Sequence, residues 1–68
     1  MGFRSREGTE ELERLRLLLG MAFALEAGDR RHADWILVRA TRWLKERGGN
    51  DPVVREACEE LHRRFPAR

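Results

Sequence analysis

The stretch Arg47-Gly48-Gly49-Asn50-Asp51-Pro52 decides the fold. Two consecutive glycines close a helix readily, because glycine takes the left-handed conformation without steric cost. Asp51 then offers a carboxylate oxygen to the open amides of a new helix, and Pro52 sits where a missing N–H is not needed. One helix therefore ends near Arg47 and another starts at Asp51. Working upstream, Gly28-Asp29 repeats the same stop-and-start signal in two residues. Thr9 is the expected N-cap of the first helix, with Glu10, Glu11 and Glu13 complementing its positive end. Downstream, Pro66 stops the last helix. The expected helices span about 9–27, 30–47 and 51–65, following a loose leader over residues 1–8 that holds Gly2, Ser5 and Gly8. Helices joined by turns this short predict an all-α, antiparallel up-down-up three-helix bundle over residues 9–66.

A chain of 68 residues and 8.0 kDa allows one domain, and a domain this small needs nearly all its apolar side chains in the core. Net charge is +2, too small for a field that gathers nucleic acid unaided. One cysteine excludes an intramolecular disulfide. The longest uncharged run, Leu17 to Leu25, is far short of the roughly 20 residues a bilayer span needs. Ala22-Phe23-Ala24 imitates a signal-peptidase site, but Glu7, Glu10, Glu11 and Glu13 lie where a signal peptide carries positive charge. A soluble chain with no cleaved signal and no membrane span is the expectation, and no compartment is indicated.

Advancing about 100° per residue, Leu12, Leu15, Leu18, Leu19, Ala22 and Leu25 gather into one stripe of the first helix, the expected core face. Leu17, Met21 and Ala24 then fall on the far side, where a solvated bundle carries charge. In the second helix Ala33, Ile36, Leu37, Ala40, Trp43 and Leu44 form the expected core arc, and Trp35 and Val38 point away from it, beside Arg39 and Arg42. The third helix is a single arc of Val53, Val54, Ala57, Cys58, Leu61 and Phe65. Arg30 and Arg31 stand in the first turn of the second helix, where cations oppose the helix dipole.

Residues equally far from the Gly28-Asp29 turn meet in an antiparallel hairpin, so the two outward stripes are expected to merge into a patch of roughly 400–600 Å², at the top of what a monomer exposes. Its burial would supply on the order of 10 kcal/mol before association costs. The expected protein-binding residues are Leu17, Met21, Ala24, Arg31, Trp35, Val38, Arg39 and Arg42, with Trp35 and the arginines as anchors. A partner protein with an apolar patch and an acidic rim fits them, and a homodimer through the same patch is the alternative.

Gly49-Asn50-Asp51-Pro52-Val53-Val54-Arg55-Glu56-Ala57, the Gly28-Asp29 turn, and a set of Ser, Thr, Asn and Gln limited to Ser5, Thr9, Thr41 and Asn50 are similar to computationally designed helical-repeat and three-helix miniprotein scaffolds. The likeness covers about Thr9 to Phe65. It implies a protein built to hold up a binding surface, with the first two helices presenting and the third bracing; extracellular receptors and viral surface proteins are the targets at which such binders are aimed. The use of arginine for 13 of the 14 basic residues, together with His32 and Cys58, departs from that style. Leu19-Gly20, Phe23, Gly28-Asp29, Ala33 and Ala40 also resemble a tetratricopeptide hairpin, which implies close packing of the first two helices around Gly20, Ala33 and Ala40.

Cys58 and His62 stand one helical turn apart but lack the further ligands of a metal site, so neither a metal nor a cofactor is expected. No Ser or Cys has a base and an orienting group at readable spacing, and no glycine cluster follows a strand, which argues against an enzyme. Arg30, Arg31, Arg39 and Arg42 share a helix with Trp35, yet Asp34 and Glu46 interrupt that basic face and no Asn or Gln is there to read bases, which argues against nucleic acid.

Overall fold

The computed structural model describes residues 6–67, the side chains of Arg6 and Glu7 excepted, and consists of three helices. These are α1 (Arg6–Ala27), α2 (Arg30–Glu46) and α3 (Pro52–Arg64), and each packs on the other two. The turns behave as their residues dictate. Gly28, Gly48 and Gly49 all hold positive φ, at 66°, 62° and 78°. Asp29 caps α2 by accepting from the His32 amide, and Asp51 caps α3 by accepting from the Val54 amide.

The start of α1 differs from expectation. Residues 6–8 are already helical, so Thr9 lies inside the helix rather than at its cap; residues 1–5 of the expected leader lie outside the described residues. Gly8 does not break the helix, since one glycine costs only about 1 kcal/mol relative to alanine. Arg30, expected to strain the start of α2, instead donates to the Pro66 carbonyl at 2.8 Å and lies 4.0 Å from Asp34. Its charge thereby ties the beginning of α2 to the end of the third helix.

The core consists of Leu17, Met21 and Ala24 from α1, Ala33, Ile36, Ala40 and Trp43 from α2, and Val54, Cys58 and Leu61 from α3. For α1 this inverts the expected faces. Leu17, Met21 and Ala24 are 7%, 1% and 0% exposed, whereas Leu12, Leu15 and Leu19 face water and Leu18 and Leu25 only flank the core. The physical reason is the space between α1 and α2. A Cβ built on Gly20 would lie 2.7 Å from Ile36 Cδ1, so α2 approaches α1 along the face that carries Gly20 and Ala24. A face lined by Leu15 and Leu19 would hold the helices further apart. Met21, unbranched and adaptable, fills the middle. Val53 also departs from its expected place: it is exposed at the start of α3.

Asp51 fastens the other end of the bundle. Its carboxylate accepts two bonds from the Arg14 guanidinium, at 2.8 and 3.2 Å, and one from the Trp43 indole at 2.9 Å, besides capping α3. One buried side chain thus holds a residue from each helix. The Arg14 guanidinium holds this carboxyl well below the usual range, at about 2, with help from the Trp43 indole and the Val54 amide and against the opposing effect of burial. Arg47 lies over the Trp43 ring at 3.3 Å and pairs with Glu10 at 3.1 Å, closing the indole off from water.

Candidate protein-interaction surface

Where the core takes Leu17, Met21 and Ala24, the opposite side of α1 is left apolar. Leu12, Leu15, Leu19 and Phe23 are 51%, 54%, 62% and 56% exposed, and Ala22 is exposed between them. On a helix these five span about 100°, centred almost diametrically opposite the buried face. The separations 12, 15, 19 and 22 alternate three and four residues, the spacing of a seam that packs against another helix.

The stripe continues onto α2 through aromatic rings. Phe23 meets the His32 ring edge-on with centroids 5.0 Å apart, and His32 meets Trp35 at 5.6 Å. Arg39 lies over the Trp35 indole at 4.9 Å. His32 is half-buried between these rings, and its Nε2 has no hydrogen-bond partner among the described residues. Trp35 is 53% exposed and Trp43 only 8%, so the outer indole is Trp35.

Of the expected binding residues, the structure therefore keeps part together and removes part. Trp35, Arg39 and Arg42 lie exposed along one side of α2, and Arg31 is exposed one turn earlier. Val38 is exposed but lies about 60° further round α2 from Trp35, away from α1, and does not join the stripe. Leu17, Met21 and Ala24 are core and offer nothing to a partner. Their place is taken by Leu12, Leu15, Leu19 and Phe23, with His32 as the bridge to Trp35. The three-four spacing from Leu12 to Ala22 was the available signal for this face, and Gly20 on the other side was the signal for which face packs inward.

Between α1 and α2, beside Trp35, runs a cleft of about 440 Å³ whose walls include Glu13, Arg16, Arg39, Arg42 and Glu46. Charges of both signs line it, and it is open to water. Elsewhere, burial and the neighbouring Glu59 push the Cys58 thiol up, which keeps it protonated. Among the described residues no three or more His, Cys, Asp or Glu side chains gather as a metal ion would require. No helix among them is long and apolar enough to cross a membrane. Comparisons with protein-family models, curated proteins and solved structures gave no match.

Proposed function

We propose that this chain acts by binding protein, using the α1 stripe of Leu12, Leu15, Leu19 and Phe23, extended by Trp35, as the docking face. One observation carries the reading: a small bundle that needs its apolar side chains for its core leaves five of them in a seam on the side facing away from it. The apolar area is about 500 Å², near the upper end of patches left on monomers. Covering it supplies on the order of 12 kcal/mol at 25 cal/mol/Å², most of which association entropy offsets. The remainder corresponds to a complex with a Kd on the order of tens of micromolar. The spacing of the seam favours an amphipathic helix as the occupant, and Arg39 beside Trp35 favours acidic groups on that helix's margin.

The test is fluorescence anisotropy with a labelled amphipathic helical peptide carrying leucine at its a and d positions. Binding with a Kd below about 100 µM, lost in Leu15→Glu/Leu19→Glu but kept in Val38→Glu, is the expected result. No binding, or equal binding by both variants, would remove the docking face.

A further inference from the structure

We infer that the occupant of the α1 stripe is a second copy of this chain, packed in parallel so that the two α1 helices form a short two-stranded coil. The inference rests on the docking reading above and adds the identity and direction of the partner. With Leu12 and Leu19 at a positions and Leu15 and Ala22 at d, Glu11 and Leu18 occupy g, and Arg16 and Phe23 occupy e. In a parallel pair each g residue meets the e residue five positions later on the other helix. Glu11 therefore meets the partner copy's arginine at position 16, and Leu18 meets its phenylalanine at position 23. Charge meets opposite charge and apolar meets apolar, twice over by symmetry. In an antiparallel pair e faces e and g faces g, so Arg16 would face another arginine across the seam.

Three further features agree. Glu11 and Arg16 are exposed, and neither forms a salt bridge among the described residues. The stripe lies opposite the buried face of α1, so the cores of the two copies lie on the outer sides of the seam. Two such stripes with their polar margins bury on the order of 1,200 Å², the lower end of what a specific interface needs. A seam of under two heptads would not hold free peptides together, but here α1 is already folded against α2 and α3, which removes the ordering cost. Gly8 before the seam and Glu26 after it, each at a heptad core position, limit its length.

Sedimentation equilibrium of the full chain, over roughly 5–500 µM in low salt, tests this. A monomer–dimer equilibrium is expected, abolished by Leu19→Glu with helix content unchanged. Glu11→Arg should weaken the dimer about fivefold, and Glu11→Arg combined with Arg16→Glu should restore it to within about twofold of the parent. For direction, Leu19→Cys in a Cys58→Ala background should oxidise to a covalent dimer, because like positions meet only in the parallel arrangement. A chain that stays monomeric at the highest concentration, a double reversal that fails to restore association, or a dimer that resists the Leu19→Cys cross-link overturns the inference. If the monomeric chain still captures the helical probe peptide through Leu15 and Leu19, the docking reading stands and only the self-partner falls. If it captures nothing, both fall.

Discussion

Replacing Asp51 with alanine should cost this protein about 2–4 kcal/mol. Three losses add up to that figure. The α3 cap through the Val54 amide contributes about 1 kcal/mol. The Trp43 indole N–H, buried and now without an acceptor, costs about 1–3 kcal/mol. The Arg14 pair adds little to these, because the Arg14 side chain keeps 35% of its exposure and water screens it. For a domain of this size the midpoint of thermal unfolding should fall by about 10–25 °C. The carboxyl sits at about 2 in the fold against an ordinary 3.8, so its stabilisation is fully present above pH 4 and is lost as pH falls towards 2. That loss amounts to about 2 kcal/mol. Urea unfolding followed by tryptophan fluorescence, run on the parent and on Asp51→Ala at pH 6 and pH 2, reads both quantities. The gap between the two proteins should be widest at pH 6 and shrink by about 2 kcal/mol at pH 2. A gap under 0.5 kcal/mol at pH 6, or one that does not change with pH, would show that the Arg14–Asp51–Trp43 cluster does not hold the bundle together.

Other substitutions separate core from surface. Met21→Ala should destabilise by about 2–4 kcal/mol, whereas Leu19→Ala in dilute solution should stay within about 0.5 kcal/mol of the parent; the opposite order in chemical denaturation would reinstate the Leu12, Leu15 and Leu19 face as the core face of α1. Gly20→Ala gains helix propensity but drives a methyl into Ile36, so a net loss of about 1 kcal/mol is expected, relieved when Ile36→Val is added. Acrylamide should quench Trp35 and spare Trp43, so Trp35→Phe should remove the accessible part of the emission with little change in stability. The Cys58 thiol should react with a thiol reagent only as fast as the bundle opens, because it is buried and held protonated.

The turns were legible because each depends on a residue with few substitutes. Gly28, Gly48 and Gly49 take backbone angles that other residues avoid, and Asp29, Asp51 and Pro52 do the work of helix starts. The inner face of α2 was legible for a related reason: its apolar residues fall on one arc, apart from Trp35 and Val38. In α1 both faces are apolar, so periodicity offers two answers of similar quality. The richer leucine face wins a count of hydrophobic groups, but the choice depends on what comes opposite. Ile36 presses against Gly20, and Arg14 must reach Asp51, 37 residues away along the chain. Neither contact exists within one helix, and both turn the same side of α1 inward. The same inversion relocates the proposed docking face: Leu17, Met21 and Ala24 are buried in the core, while Leu12, Leu15, Leu19 and Phe23 stand exposed with Trp35, Arg39 and Arg42.

Leucine-methyl NMR during addition of the amphipathic helical peptide tests the docking face residue by residue. The methyl signals of Leu12, Leu15 and Leu19 should move with saturation while those of Leu17 and Leu61, inside the bundle, stay in place. Signals that do not move at all, or movement that begins at Leu17 and Leu61, would contradict a docking face on the outer side of α1.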